Sequence, residues 1–168
     1  DWAHPLRLEI QMRHLAAQPD VIGCLTQQAR IREDLRLTRW TGEGALLQPN
    51  LSSFLFRRAP VLRDFGGWDT VRIAADTELV RRIQHVHGRS AVAELEGVPL
   101  ALTRDTGASA VNDPVLGVNG RPHGARRAYV DAQAHHRDTG GKLHYGPGTR
   151  PFAVPAIMRR DCPPRDRA

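Results

Sequence analysis

The chain has 168 residues, 40% of them hydrophobic, and a net charge of +6, a composition that can bury a core and that excludes a disordered or fibrous protein. The charge comes from 23 arginines against one lysine, and because no stretch interleaves the nine aromatic residues with basic ones, a single-stranded nucleic-acid surface is not predicted. Neither cysteine lies in a metal-site spacing and no apolar run approaches the ~20 residues of a membrane span, so a cytoplasmic chain is predicted.

The first elements are a helix and a hairpin. A helix is predicted from His4-Pro5 to about Gln18, because proline is tolerated at the first helical position. Residues 21–31 and 35–40 have the composition and alternation of strands, and Glu33-Asp34 suits the turn between them.

The middle of the chain contains the clearest helix. Residues 41–50 carry two glycines and a proline and are predicted to form a loop, followed by a short buried strand at 51–58. A helix is predicted over 76–88, with Arg81 and Arg82 facing away from an apolar stripe made of Leu79, Val80, Ile83 and Val86. Gly88 supplies its C-terminal stop.

The last third mixes strands, turns and a helix. Two strands, 90–95 and 98–103, are predicted to join through Glu96-Gly97, and a helix follows around 123–138. The end of the chain, 159–168, has the composition of a disordered segment. The order of elements favours an α/β layer architecture.

The stretch 66–79, GGWDTVRIAADTEL, concentrates polar and aromatic candidates for a site. Asp76 suits a helix N-cap or a general base, and Glu78 suits the first helical turn. Asp69 suits a turn, while Trp68 suits either a core position or the flat wall of a sugar site. Arg72 could pair with the carboxylates or meet a phosphate.

Four segments, taken in order, resemble the C-terminal half of a bacterial family 2 glycosyltransferase of the GT-A fold. They are DWAHPLRLEIQ (1–11), NLSSFLFRR (50–58), GGWDTVRIAADTELVRRI (66–83) and GVPLALTRDTGASAV (97–111). The resemblance implies a GT-A-like mixed sheet flanked by helices and truncated at the N-terminus. It assigns 1–145 to the acceptor-side half of the domain and 146–168 to a Pro/Arg-rich tail.

The resemblance also implies a metal site at the start of the chain. Residues 1–5, DWAHP, are similar to the end of the D-x-D stretch that binds a divalent cation and the donor diphosphate in that family. Asp1 is therefore a candidate metal ligand, and Mg²⁺ or Mn²⁺ is expected only where the D-x-D half is present.

The remaining site residues come from matches to the family motifs. Asp76 in ADTEL matches the general base, although Ala75 replaces the leading Glu of that motif. The acceptor-binding residues implied are Gly67, Trp68, Asp69 and Glu78, and Arg72 is implied as a contact of the donor diphosphate. TGAS at 106–109 matches a His-Gly-x-Ser segment weakly.

The function implied is inverting transfer of a sugar from a nucleotide-sugar donor to a saccharide or other hydroxyl acceptor. The expected location of the protein is the cytoplasm, and no nucleic-acid partner is expected. Peripheral attachment to the inner face of the membrane stays open. Two alternatives stay open. One is a non-catalytic remnant or sugar-binding module of the same fold, and the other is an arginine-rich protein that binds polyanions.

Overall fold

The computed structural model describes residues 1–39, 44–106, 112–117, 122–146 and 150–160. Within these ranges the chain has four α-helices and one mixed, open sheet of five strands, which confirms the predicted α/β class. The elements are β1 (Trp2–Ala3), α1 (Arg7–Ala17), β2 (Gly23–Ile31), β3 (Leu37–Thr38), β4 (Leu47–Phe56), α2 (Arg58–Phe65), α3 (Ala75–His87), β5 (Val92–Arg104) and α4 (Gly124–Asp138).

The chain forms two compact units. The first contains Asp1–Val61 and Val86–Gly107, and the second contains Leu62–His85 and Ala108–Ala168. The sheet belongs to the first unit, whereas most of α3 and all of α4 belong to the second.

The sheet is organised around β2. This strand runs parallel to β5 and antiparallel to both β3 and β4, while β1 pairs antiparallel with β5. The β2–β3 pair, in which Arg30 faces Thr38, confirms the predicted hairpin. Because β2 has neighbours on both sides, seven of its nine residues are buried.

Polar side chains hydrogen-bond to backbone groups at the point where β2 and β4 shift register. The irregularity lies between Cys24 and Thr26, and two side chains bridge it. Gln11 of α1 donates from Nε2 to the carbonyls of Cys24 at 3.2 Å and Ser53 at 2.7 Å. The Thr26 N–H donates to Ser53 Oγ at 2.9 Å. The two Gln11 bonds fix α1 on the sheet, since a buried carbonyl without a partner would be costly.

The second unit has its own apolar core. Its buried members are Val71, Leu116, Tyr129, Val154 and Met158. Two of them, Val154 and Met158, come from residues 150–160, which lie within the stretch assigned to the tail from sequence. Residues 161–168, most of the segment predicted to be disordered, lie outside the described ranges.

Three details of the secondary structure differ from the sequence predictions. Helix α2 was not predicted; it begins at Arg58, and Pro60 is accommodated because it lies in the first turn. Strand β4 begins at Leu47, inside the predicted loop. Strand β5 runs through Glu96 and Gly97 without a turn, because the positive φ of 117° at Gly97 and two register shifts against β2 absorb the irregularity.

Candidate functional site

Arg82 lies at the centre of the polar interior of the second unit. Its side chain is fully buried, whereas the sequence predicts only that it faces away from the apolar stripe beside Arg81. The periodicity of α3 identifies the apolar stripe correctly at Leu79, Val80 and Ile83, but Val86, the fourth predicted member, is 52% exposed. It could not identify the second packed face, because the groups that cover Arg82 come from elsewhere in the chain.

The buried guanidinium is satisfied by four oxygens. Nε donates to Glu78 Oε2 at 2.8 Å. The two terminal nitrogens donate to three main-chain carbonyls, those of Phe65 at 2.7 Å, Gly67 at 2.8 Å and Leu143 at 3.0 Å. A buried charge is tolerated when every polar atom finds such a partner. Arg82 therefore ties α3 to the end of α2, to the loop that follows α2 and to the segment after α4.

Tyr145 completes the environment of Glu78. Its hydroxyl donates to Glu78 Oε1 at 3.1 Å, and the Arg82 guanidinium lies over its ring, 3.7 Å from the centroid. Burial raises the pKa of Glu78, and the charge and hydrogen bond of Arg82 oppose that rise. Both oxygens of Glu78 are thus engaged inside the unit, and a direct contact between Glu78 and an acceptor stays a prediction.

Asp69 forms a second buried carboxylate in the same unit. Its Oδ2 accepts a hydrogen bond from the Tyr129 hydroxyl at 3.0 Å. Its Oδ1 is buried without a partner among the described residues. Burial raises the pKa of Tyr129, and the nearby carboxylates of Asp69 and Glu78 raise it further. The predicted contact of Asp69 with an acceptor is likewise untested, and its observed partner is Tyr129.

The two adjacent glycines at the end of α2 have different structural roles. Gly66 has φ of +69°, and a Cβ there would collide with the main-chain carbonyl of Tyr145. That carbonyl accepts the Gly67 N–H at 3.2 Å, and the Tyr145 N–H donates to Phe65 O at 2.9 Å. At Gly67, by contrast, a Cβ would have no atom within 4 Å beyond its immediate chain neighbours. The backbone at Gly67 is therefore open to approach by a ligand.

We expect Gly66→Ala to destabilise the second unit by at least ~2 kcal/mol, through a left-handed alanine and a clash with a backbone that cannot move aside. Gly67→Ala is the matched control and should leave stability nearly unchanged, because space surrounds that position. Urea unfolding of the two variants, followed by circular dichroism, makes the comparison. Equal midpoints for both would contradict the close approach of Gly66 to Tyr145.

Trp68 and Asp76 are two predicted site residues that remain accessible. Trp68 is 47% exposed, which favours the binding-wall interpretation over the core one. Asp76 is half-buried and is the second residue of α3 instead of the N-cap residue before it. Its Oδ1 accepts the Thr77 N–H at 2.7 Å, while Oδ2 accepts no hydrogen bond from the described residues. Asp76 thus presents one fixed and one uncommitted carboxylate oxygen.

Arg72 is exposed and turns away from the carboxylates that flank it in sequence. Its Nε donates to the carbonyl of Arg159 at 3.3 Å, and its backbone N–H donates to Met158 O at 2.9 Å. Neither Asp69 nor Asp76 is its hydrogen-bonding partner. Of the two alternatives from sequence, pairing with these carboxylates is not observed, and contact with a phosphate stays a prediction.

Asp1 belongs to the first unit, at the edge of the sheet. Its Oδ1 accepts the Arg104 N–H at 2.8 Å. Over the described ranges, no group of three or more His, Cys, Asp or Glu side chains is placed to hold a metal ion. Mg²⁺ is usually held by one or two carboxylates together with water and phosphate oxygens, and Asp1 alone would supply one of these ligands. The described residues therefore do not fit a complete divalent-cation site.

A polar cleft of about 380 Å³ in the first unit was not anticipated from sequence. It lies just beyond the carboxyl ends of the parallel strands β2 and β5, where open α/β sheets bind ligands. Asp105 is held there by Arg30 at 2.8 Å and Thr38 at 2.9 Å. The remaining lining residues are Arg32, Glu33, Asp34 and Thr106. Knowledge that β2 and β5 are parallel neighbours would have been needed to predict it.

Comparison with known proteins leaves the family open. No protein-family model matches the chain, and no curated protein matches its sequence. In the part of the chain that the structure describes, no helix is both long and apolar enough to cross a lipid bilayer. Residues 107–109 of the TGAS segment lie outside the described ranges, so the weak motif match there stays a prediction.

Proposed function

We propose that the chain is the acceptor-side part of an inverting glycosyltransferase of GT-A type, which transfers a sugar from a nucleotide-sugar donor to a hydroxyl acceptor. The observation that carries the proposal is the buried Arg82 network. It fixes the carbonyls of Phe65 and Gly67 to the helix that bears Asp76, while Trp68 remains exposed. An accessible indole and an available carboxylate, held on fixed elements of one unit, are the groups that an acceptor site needs.

The acceptor would lie against Trp68 and the open backbone at Gly67. An indole offers a flat apolar face to the C–H side of a sugar ring, and Gly67 has no side chain to obstruct the approach. In this proposal Asp69 and Glu78 support the loop, and their own contact with the acceptor stays a prediction. They hold Tyr129, Tyr145 and Arg82, and through these residues they position the loop.

Asp76 is the proposed general base. The Thr77 N–H holds its Oδ1 in place, and Oδ2 takes the proton of the acceptor hydroxyl as the hydroxyl oxygen attacks the anomeric carbon. A new C–O bond forms on one face of the donor sugar while the bond to the nucleoside diphosphate breaks on the other. The anomeric configuration is therefore inverted, and the leaving diphosphate carries away the bonding electron pair.

We expect Asp76→Asn to lower kcat for nucleotide-sugar turnover by at least about a hundredfold, because the amide cannot accept the proton. Asp131→Asn is the control, since Asp131 is an exposed carboxylate of the same unit. Trp68→Ala should instead raise KM for the acceptor more than it lowers kcat. Turnover is measured with the chain together with the donor-binding half of the glycosyltransferase domain, which the resemblance implies. Unchanged turnover by Asp76→Asn would remove Asp76 as the base.

A non-catalytic sugar-binding module would use the same exposed Trp68 without needing Asp76. Saccharide binding that is lost in Trp68→Ala, unchanged in Asp76→Asn and never accompanied by turnover would favour that alternative.

A further inference from the structure

Four arginines of the second unit converge from separate parts of the chain. An isolated antiparallel bridge joins Val71 to Arg159. On either side of it, the Arg72 N–H donates to Met158 O at 2.9 Å and the Arg160 N–H donates to Thr70 O at 3.1 Å. Arg150 reaches the same place through its side chain, which donates from Nη2 to Thr70 O at 3.3 Å. We call Arg72, Arg150, Arg159 and Arg160 the arginine cluster.

Main-chain carbonyls orient these side chains without neutralising them. Arg72 donates from Nε to Arg159 O at 3.3 Å, and Arg159 donates from Nε to Val154 O at 3.1 Å. In both residues the bond uses the inner nitrogen, and the two terminal nitrogens make no hydrogen bond to the described residues. Each guanidinium therefore presents its outer edge, which is the edge that binds two phosphate oxygens at once.

Ion pairs within the described ranges do not balance the charge of the cluster. Other arginines of this unit have carboxylate partners: Arg63 pairs with Asp64 at 2.6 Å and Arg127 with Asp131 at 2.8 Å. Among the residues the structure describes, no member of the cluster forms such a pair. Arg72 lies near one carboxyl group, Asp113, whose pKa is lowered chiefly by the N–H groups of Leu116 and Val115 and to a smaller degree by Arg72.

We propose that the arginine cluster is a binding site for a phosphate or diphosphate group. The exposed positions of Arg72, Arg159 and Arg160 leave the site accessible from water. The carbonyl contacts of Arg72, Arg150 and Arg159 restrain these side chains before a ligand binds, which lowers the entropy cost of binding. The inference rests on these contacts and does not depend on sugar transfer. A soluble phosphorylated ligand and a phosphate-bearing lipid headgroup share this chemistry.

The first test is calorimetric titration of the chain with inorganic pyrophosphate at low and at moderate salt. Arg160→Gln is the most informative variant, because the described structure shows no contact of its side chain that the fold would lose. We expect Arg160→Gln and Arg72→Gln each to weaken pyrophosphate binding about tenfold, the loss of one charge-assisted contact. Arg127→Gln, which removes a paired arginine of the same unit, should leave binding unchanged.

The second test separates the two sources of the phosphate. Binding of a nucleoside diphosphate that is weakened in Arg160→Gln, without binding to phosphatidic acid vesicles, identifies a soluble ligand. Vesicle binding lost in the same variant identifies a headgroup. The proposal is overturned if pyrophosphate does not bind even at low salt, or if Arg127→Gln weakens binding as much as Arg160→Gln. The latter result would indicate only the general positive charge of the chain.

Discussion

Arg82→Met is expected to unfold the second unit or to leave it barely stable. The substitution leaves Glu78 as an uncompensated charge in the interior, which typically costs ~3–5 kcal/mol, a large share of the stability of a domain. It also removes the donors that satisfy the carbonyls of Phe65, Gly67 and Leu143. Urea unfolding followed by the near-ultraviolet signal of Tyr129 and Tyr145 measures the effect, because both tyrosines belong to this unit.

Arg13→Met is the matched control. Glu9 and Arg13 have the same i,i+4 spacing and order as Glu78 and Arg82, and their N–O distance of 2.6 Å is even shorter. The Arg13 and Glu9 side chains are, however, 79% and 50% exposed, so water already solvates both charges and their pairing adds little. We expect no measurable change in the unfolding midpoint. Equal losses in Arg82→Met and Arg13→Met would show that burial does not control the effect.

The loss in Arg82→Met should also depend on pH. Without the guanidinium, burial raises the pKa of Glu78 further above its ordinary value of 4.5. When the pKa of a carboxyl group is higher in the folded than in the unfolded state, its contribution to stability is fully present below the unfolded-state pKa. That contribution is lost as the pH rises through the folded-state pKa. The loss of unfolding free energy in Arg82→Met should therefore be smallest at acidic pH. A double variant with Glu78→Leu should recover part of the lost stability at neutral pH.

Alkaline pH is expected to unfold the second unit cooperatively. The chain has two tyrosines, Tyr129 and Tyr145, and both are buried. Burial raises the pKa of each well above 10, and the carboxylates near them add to the rise. In the unfolded chain both hydroxyls ionise near pH 10. The unfolded state then binds fewer protons than the folded state, so stability is complete below about pH 10 and falls above it.

The free energy of unfolding should fall steeply with pH above pH 10. Each tyrosine removes ~1.4 kcal/mol per pH unit above pH 10, so two units of pH with both residues remove ~5.5 kcal/mol. Tyrosinate absorbance should consequently appear together with the loss of circular dichroism, in one transition. Tyr145→Phe should halve the slope above pH 10. Gradual tyrosinate formation centred near pH 10 in a chain that stays folded would show that the two hydroxyls are accessible to water.

The sequence by itself determined the elements whose signals are local. The apolar stripe at Leu79, Val80 and Ile83 predicts α3, Gly88 marks its end, and the alternation around Glu33-Asp34 predicts the hairpin of β2 and β3. These signals depend on neighbours within a few residues, so pattern is sufficient to find them. Of the candidate site drawn from residues 66–79, Trp68 and Asp76 are accessible whereas Asp69 and Glu78 are buried, and the chemistry assigned to all four is a proposal.

The tertiary structure decided which polar groups became internal. Arg82 resembles any outward-facing arginine of a helix until the carbonyls of Phe65, Gly67 and Leu143 are placed around it, the last of them 61 residues away. The arginine cluster likewise exists only because Val71 pairs with Arg159. The free energy of a charge depends on the oxygens and water that surround it. Those surroundings are set by chain segments that are distant in sequence, and no local pattern encodes them.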